Sequence, residues 1–150
     1  MRTTLSRNDI DLLVGARHWD PFSALGPHIV KAGERSFVSI RAIQPRAREV
    51  RVLREAGSGT RITAMTRVHA NGVFEAQFPE DREIFPYRLE FVARDGYRWI
   101  QHDPYAFGLI LSDFDIHLLA EGSHLDQYGR LGSHVATVGG VTGTTFAVWA

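Results

Sequence analysis

The stretch SFVSIRAI, residues 36–43, decides the fold class of this chain. Its apolar residues alternate with polar ones, and successive side chains of a β-strand point to opposite sides, so the apolar set falls on one face. The members of that face are Val38, Ile40 and Ala42. The segment VFEAQF, residues 73–78, repeats the pattern. Strands with one apolar face each predict sheets that pack against one another.

The segments around these strands are also typical of β-structure. VRVL, residues 50–53, is a further strand candidate, and Asn71-Gly72 and Asp95-Gly96 stand between strand candidates. Both dipeptides tolerate the positive φ values of two-residue hairpin turns. Six or seven short strands are therefore expected between about His28 and Gln101, with no helix among them. This pattern predicts an all-β, immunoglobulin-like antiparallel β-sandwich, with a small barrel as the alternative.

The two ends of the chain have a different character. Apolar residues at helical spacing, with Ser6 as N-cap and Gly15 as stop, predict a short helix within residues 1–18. The sandwich module is expected over residues 19–108. Residues 109–138 mix Gly, Asp and Ser with apolar pairs, which predicts an irregular connector.

Composition excludes several classes of function. The 17 basic residues balance 17 acidic ones, which gives no reason to expect a nucleic-acid partner. The arginines of RAREVRVLRE, residues 46–55, alternate with apolar residues and are expected on a solvated strand face. The absence of cysteine excludes disulfides and thiolate metal sites. No signal-peptide core or membrane-spanning window is visible, so we expect a soluble, cytoplasmic protein with no membrane partner.

A repeat lies near the two ends of the chain. DPFSALGPH, residues 20–28, aligns without a gap with DQYGRLGSH, residues 126–134. Each copy precedes a strand candidate that contains Phe, SFVSIRA in the first case and TTFAVWA in the second. The spacing is about that of one sandwich domain, ~100 residues. Residues 139–150 are therefore expected to be the first strand of a truncated second sandwich, and to be disordered or to pair with the first sandwich or with another molecule.

Three segments together resemble the N-terminal region of bacterial 1,4-α-glucan (glycogen) branching enzymes of the α-amylase superfamily. They are HWDPFSALGPH (18–28), HDPYAFG (102–108) and the run from DIHLLAEGSH to FAVWA (115–150). The resemblance implies an N-terminal β-module, a second, carbohydrate-binding-like sandwich, a catalytic (β/α)₈ barrel and a C-terminal β-domain. It also implies transfer of α-1,4-glucan chains to form α-1,6 branches. The family's catalytic carboxylates belong to the barrel, so no catalytic residue and no cofactor are expected in this chain.

Glucan binding requires aromatic faces that stack on the apolar face of glucose. Tyr97 and Trp99 are two residues apart on one strand, project to the same side and are candidates for such a platform. The alternative is that Trp99 fills the sandwich core. Trp19 is a third candidate, and its alternative role is packing at the domain edge.

Two polar patterns suggest other chemistry. His117, Glu121 and His124 have the spacing of a zinc site on a helix, but Gly122 and Ser123 argue against a helix that continues to His124. We therefore expect no metal, and imidazoles that cap turns or bond to backbone. The carboxylates of Asp113 and Asp115 are expected to be solvated or to cap a turn rather than to form a catalytic pair. The repeated residues His28 and His134 are expected to fix the entry of the chain into a sandwich.

The function predicted from these features is that of a non-catalytic module. It would support the binding or orientation of α-1,4-glucan or glycogen, influence the chain length transferred, and dock on the remaining domains of its parent enzyme. Two alternatives stay open at this point: a structural spacer without sugar affinity, and a stand-alone β-protein that binds zinc or another ligand.

Overall fold

The computed structural model describes residues 2–57 and 59–149. The chain divides into two compact units, Met1–Ala106 and Phe107–Ala150. In the described residues the elements are, in order, α1 (Arg7–Val14), β1 (Gly26–Ala32), β2 (Arg35–Ile43), β3 (Ala47–Ala56), β4 (Gly59–Ala64), β5 (Thr66–His69), β6 (Val73–Phe78), β7 (Arg88–Ala93), β8 (Arg98–Gln101), α2 (Asp113–Glu121), β9 (Gly132–Val138) and β10 (Val141–Ala147). Single 3₁₀ turns span Pro21–Ser23, Pro104–Phe107 and Gln127–Gly129.

The first unit is an antiparallel sandwich. Sheet 1 has the strand order β1-β2-β6-β5, and sheet 2 has the order β4-β3-β7-β8. The apolar faces of the central strands meet in one buried core, which includes Val38, Ile40, Phe74 and Ala76 from sheet 1 and Val50, Val52, Leu89 and Phe91 from sheet 2. The predicted all-β antiparallel sandwich is confirmed, and the strand at residues 36–43 contributes to its centre.

The segment ITAMTRVH, residues 62–69, divides between the two sheets. Sheet 2 contains it up to Ala64 and sheet 1 from Thr66 onward, so the chain crosses at Met65. The side chain of Met65 is buried, and its N–H donates to the carbonyl of Val50 at 2.9 Å. Because this crossing is a single residue long, β4 of sheet 2 and β5 of sheet 1 lie at the same edge of the sandwich.

The two Gly-containing hairpins are longer than expected. His69 pairs with Val73, and Ala93 bonds to the carbonyl of Tyr97, so each loop has three residues rather than two. Gly72 (φ 86°) and Gly96 (φ 89°) adopt positive φ, whereas the Asn and Asp before them do not. The expectation of two-residue turns was therefore wrong. A three-residue loop needs only its last residue in the left-handed region, and glycine occupies it at no steric cost.

We predict that Gly72→Ala destabilises the chain much more than Gly96→Ala. Both glycines have the same positive φ, which costs an alanine about 1–2 kcal/mol. At Gly72 an added Cβ would also lie 2.5 Å from the carbonyl oxygen of Gln44 and from Cα of Pro45, whereas at Gly96 nothing lies within 4 Å. Urea unfolding of the two variants measures the difference. Equal losses in the free energy of unfolding would contradict the close approach at Gly72.

Helix α1 forms as the sequence predicts. The Ser6 hydroxyl accepts from the N–H of Asp9 at 3.1 Å, which satisfies one of the free N–H groups of the first turn, and Gly15 follows the last turn as C-cap. The buried residues of the helix are Ile10 and Leu13, and they pack with Leu5, Leu25 and Val73 in a second apolar cluster. This cluster joins the helix to the sandwich.

A buried carboxylate fastens the segment before α1 to the outer face of sheet 1. The Glu75 side chain is fully buried and accepts from the N–H and hydroxyl of Thr4, from the Ser39 hydroxyl at 2.7 Å and from the Gln77 amide. Burial raises the pKa of Glu75, but these donors together outweigh it and hold the pKa below its usual 4.5. The guanidinium of Arg41 donates to the Thr4 hydroxyl at 3.1 Å and so joins the same cluster.

We predict that Glu75→Gln lowers the free energy of unfolding by about 1–3 kcal/mol at neutral pH, because hydrogen bonds to a charged acceptor are lost. The folded pKa lies below the unfolded value, so this stabilisation is present above about pH 4.5 and is lost as the pH falls through the folded pKa. Denaturant unfolding between pH 7 and pH 3 therefore separates native and variant chains most at pH 7. A gap that stays constant down to pH 3 would show that Glu75 is not the titrating group.

The second unit is more regular than the predicted connector. Helix α2 begins with a capping box, in which the Ser112 hydroxyl accepts from the N–H of Asp115 and the Asp115 carboxylate accepts from the N–H of Ser112. It ends at Gly122 in the left-handed conformation. Strand β10 pairs with β9 in an antiparallel hairpin, so the expectation that residues 139–150 are disordered, or pair with the first sandwich or with another molecule, was wrong for β10. Ala150 lies outside the described residues.

Candidate functional site

Three aromatic residues form an ordered row at the edge of sheet 2: Phe91 in β7, Trp99 in β8, and Tyr97 immediately before β8. The Trp99 ring lies 5.1 Å from the Phe91 ring at 19° and 5.9 Å from the Tyr97 ring at 21°. Phe91 is buried, Trp99 is partly buried and packs on the core, and Tyr97 is 66% exposed. The structure thus brings Tyr97 and Trp99 together as predicted, and it also places Trp99 against the core, as the alternative reading held.

The backbone around Tyr97 is held in place. Its N–H donates to the Asp95 carboxylate at 3.0 Å, and its carbonyl accepts from the N–H of Ala93 at 2.8 Å. These bonds close the loop before β8. The exposed Tyr97 ring therefore extends from a defined turn, and its neighbour Trp99 is anchored in the core. A ring pair fixed in this way loses little freedom when a flat ligand stacks on it.

Trp19 lies apart from this row. Its side chain is 88% exposed, and its ring takes part in neither of the two contacts just described. It precedes Asp20 and the Pro21–Ser23 turn. The Trp19 side chain is therefore accessible to a ligand.

The turns that precede β1 and follow β8 pack on each other. The rings of Phe22 and Tyr105 meet edge to face at 5.1 Å, and a Cβ added to Gly26 would lie 2.8 Å from Cβ of Tyr105. Tyr87 donates from its hydroxyl to the buried Asp103 carboxylate at 2.6 Å. Burial raises the pKa of both groups, and the charge of Asp103 raises that of Tyr87 further. This pair fixes the chain as it leaves the sandwich and belongs to the architecture of the unit.

The two copies of the repeat have the same local structure. Each copy forms a 3₁₀ turn followed by a residue at nearly identical torsions, Ala24 (−110°, −42°) and Arg130 (−112°, −41°). His28 bonds through Nε2 to the carbonyl of Leu25 at 3.0 Å, and His134 bonds in the same way to Leu131 at 2.8 Å. Burial lowers the pKa of His28. The predicted role of the two histidines at the entry to a strand agrees with these contacts.

The hairpins that follow the two turns share one register. Gly26 pairs with Arg41 in the first, and Gly132 pairs with Ala147 in the second. Phe146 therefore occupies the place of Ile40, and not that of Phe37 as the sequence match between SFVSIRA and TTFAVWA implies. Ile40 is fully buried beneath sheet 2, whereas Phe146 is 71% exposed.

The residues of the zinc pattern form separate contacts. His117 lies 3.5 Å from Glu121 on the exposed side of α2, whereas His124 bonds through Nε2 to Asp115 at 3.0 Å. Across the described residues, no group of three or more His, Asp or Glu side chains is arranged to hold a metal ion. The Asp115 carboxylate also accepts from the Ser112 hydroxyl; this bond and the one from His124 hold the pKa of Asp115 well below its usual value. Asp115 thus caps a helix, as one of the two sequence readings expected.

The strand arginines are paired with carboxylates. Arg51 bridges Glu49 at 2.9 Å and Glu90 at 3.1 Å. Arg54 pairs with Asp81 at 2.7 Å while its guanidinium lies 3.9 Å from the centre of the Phe85 ring. Arg51 is thus on the outer face of sheet 2, whereas Arg54 is on the same face as the buried Val50 and Val52 and covers the end of the core at Phe85. The expectation of one solvated arginine face is therefore wrong for Arg54. Within residues 2–57 and 59–149, no helix is long and apolar enough to cross a membrane.

Comparison with known proteins identifies the class. Residues 6–105 match the family described as alpha-1,4-glucan branching enzyme GlgB, N-terminal domain. The chain belongs to this family.

Several curated relatives are described as 1,4-alpha-glucan branching enzyme GlgB. The chain is 45% identical over 139 residues to the 1,4-alpha-glucan branching enzyme GlgB of Rhodospirillum rubrum, which covers 92% of this chain and 18% of the relative. The enzyme of the same name from Paramagnetospirillum magneticum is 43% identical over 143 residues, with 95% and 18% covered. That from Thermosynechococcus vestitus is 41% identical over 148 residues, with 98% and 19% covered. The chain thus spans about a fifth of the length of these relatives, and it is the N-terminal region of a GlgB.

Proposed function

We propose that this chain is a non-catalytic module of a glycogen branching enzyme, and that it holds or orients the glucan from which the enzyme transfers chains. The parent would cut an α-1,4-glucan and move the segment to a 6-hydroxyl in the cytoplasm, with the chemistry on other domains. Family membership supports the first half of this proposal. The second half rests on one observation: the Tyr97 ring is exposed beside β8 and is nearly parallel to the partly buried ring of Trp99 on that strand.

The physical basis is stacking. A glucose ring presents an apolar C–H face, which gains by covering an aromatic ring, and hydroxyls at its rim that stay in water or bond to polar groups. Trp99 stacks on both Phe91 and Tyr97 and is held by the core, so the exposed Tyr97 ring is preorganised before sugar arrives. A module of this kind would keep a chain near the enzyme and so influence the length transferred. Trp19, as an exposed single ring, is proposed as an additional contact.

We predict that Tyr97→Ala weakens binding of maltoheptaose to this chain by about tenfold, the equivalent of one aromatic contact of about 1–1.5 kcal/mol. Titration at millimolar sugar, followed by tryptophan fluorescence and amide NMR shifts, measures the affinity. The NMR shifts should be largest on β8.

Tyr128→Ala is the matched control, because it removes an exposed tyrosine from the second unit. It should leave the affinity unchanged in the 150-residue chain. If the native chain shows no shift with sugar, or if both variants bind as it does, the glucan-binding half of the proposal is wrong and the spacer role is favoured.

A second role, docking on further domains, is favoured by the second unit. The face of the β9–β10 hairpin that corresponds to the core face of β1–β2 is exposed, and its apolar members are Val135, Phe146 and Val148. Exposed apolar sheet faces mark interaction surfaces. We propose that this hairpin begins a second sandwich module, preceded by the connector from residue 109, the first module at residues 19–108 and the helix within residues 1–18. The reading frame would then continue past the codon for Ala150, and a stop codon there would contradict this.

We predict that Phe146→Ser has different effects in two lengths of the protein. In the 150-residue chain it should change the free energy of unfolding little, because the ring is already 71% exposed. In a protein extended along the reading frame it should cost about 1.5–3 kcal/mol, the value of a buried Phe. Ile62→Ser, at an exposed position on β4, is the control and should be neutral in both. Equal effects of Phe146→Ser in both lengths would rule out docking on this face.

A further inference from the structure

Three loops close the end of the first unit at which β3 begins and β7 ends. They join β2 to β3, β5 to β6 and β7 to β8. The Arg67 guanidinium connects the first two of them, because it donates to the carbonyls of Ala47 and Ala70. The N–H of Gln44 also donates to the carbonyl of Gly72 at 2.8 Å. This end of the sandwich is therefore a platform whose loops are held to one another.

Two arginines of the platform have no counter-charge. Ala47 and Ala93 form the last pair between β3 and β7, and the next residues outward on the two strands are Arg46 and Arg94. Both are exposed, and within the described chain neither guanidinium forms a hydrogen bond or an ion pair. Like charges at opposite positions of a strand pair are destabilising. The fold thus retains a repulsion here that no described carboxylate relieves.

The carboxylates near these arginines are already engaged. A row of ion pairs crosses sheet 2 in the order Arg48, Glu49, Arg51, Glu90 and Arg98. Its successive N–O distances are 3.2, 2.9, 3.1 and 3.8 Å, and it begins and ends on an arginine. The third carboxylate of this region, Asp95, accepts from the N–H of Tyr97 at 3.0 Å. The corner of sheet 2 is therefore locally positive, although the whole chain has a net charge of +0.

The ligand chemistry that suits this corner is a phosphate monoester. Such a group carries about −1.5 to −2 charges near neutral pH and has three acceptor oxygens, so that one group can neutralise two guanidiniums. A guanidinium presents paired N–H donors whose geometry matches phosphate. A carboxylate has a single charge and would leave one of the two arginines uncompensated. Because Arg46 and Arg94 are both exposed, the phosphate can belong to a larger molecule.

We propose that Arg46 and Arg94 form an anion site that binds a phosphate monoester, carried either by a free sugar or by a glucan chain. Arg48 adds positive charge beside the site while it stays paired with Glu49. The inference goes beyond the proposed function and does not depend on it, since phosphate recognition requires no stacking on Tyr97. The site gives the module a second class of ligand, distinct from neutral glucan.

The first test measures binding of inorganic phosphate to the 150-residue chain by NMR, with sodium chloride added to keep the ionic strength constant. The amide signals of Arg46, Ala47 and Arg94 should shift most. Arg46→Gln and Arg94→Gln should each weaken binding about five- to tenfold, and the double variant should show no saturable shift. Arg35→Gln removes an exposed arginine from the β1–β2 hairpin and is the control with the same change of net charge.

The control should leave the affinity for phosphate unchanged. Equal weakening by Arg35→Gln, or native affinity in the double variant, would overturn the site. Thermal unfolding checks the fold of the variants. Without phosphate, Arg46→Gln and Arg94→Gln should be at least as stable as the native chain, because each removes a repulsion and no described contact. With phosphate, the native chain should gain more stability than the double variant, since a ligand stabilises the state that binds it.

The second test compares ligands on the native chain. Glucose and acetate should bind at least about tenfold more weakly than glucose 6-phosphate, and equal binding of acetate would overturn the assignment to phosphate. Maltoheptaose that carries one phosphate identifies the source. Binding about tenfold tighter than that of glucose 6-phosphate indicates a phosphorylated glucan, whereas equal affinity indicates a free sugar phosphate. If unmodified maltoheptaose binds and phosphate does not, the anion site is wrong while the proposed function stands; the reverse result contradicts the glucan-binding proposal alone.

Discussion

The constraint on which this structure depends is that a sheet with one apolar face needs a second layer over it. In the first unit the inward residues of β2 and β6 meet those of β3 and β7, and the whole core is built between them. Helix α1 and the buried Glu75 cluster are additions to the outer side of sheet 1. They attach the N-terminal segment to sheet 1, and this attachment requires that the two sheets are already packed.

In a sandwich of this kind the inward side chains of the central strands are buried, whereas those of the edge strands are only partly buried. The crossing at Met65 brings one pair of edge strands together, while at the other edge the turn before β1 packs on the turn after β8. Aromatic and aliphatic residues on the inward face of that edge are half in the core and half in water. Trp99 can therefore pack against the core and remain partly exposed to a ligand. The core role and the binding role of this residue are thus compatible.

The sequence predicts the sandwich well because strand alternation and core burial coincide in this protein. Alternation at residues 36–43 and 73–78 marks the central strands, and the Ser6 cap marks the start of α1. The sequence is less informative where the outcome depends on partners far along the chain. The three-residue hairpins, the crossing at Met65 and the register of the second hairpin follow from tertiary pairing, which local propensity does not report.

The capping box at Ser112 was visible in the sequence, but the surrounding Gly and Ser residues obscured the helix that it begins. Of the candidate site, the contact of Tyr97 with Trp99 follows from spacing, whereas the contact of Trp99 with Phe91 depends on the pairing of β8 with β7.

A comparison of the two copies of the repeat distinguishes the local geometry set by the motif from the geometry that depends on tertiary packing. The 3₁₀ turn, the His-to-carbonyl bond and the hairpin register are the same in both, although the first copy is covered by a second sheet and the face of the second copy is exposed. The local geometry is therefore specified by the nine-residue motif and does not require cover. Gly26 meets two demands, a φ of 86° and the approach of Tyr105, whereas Gly132 has the φ of 93° with open space around it. The second copy thus retains the glycine conformation that the first copy needs for its aromatic neighbour. Since a motif that forms without its covering layer can present a ready apolar face to that layer, the hairpin at residues 132–147 is suited to direct the assembly of whatever packs on it.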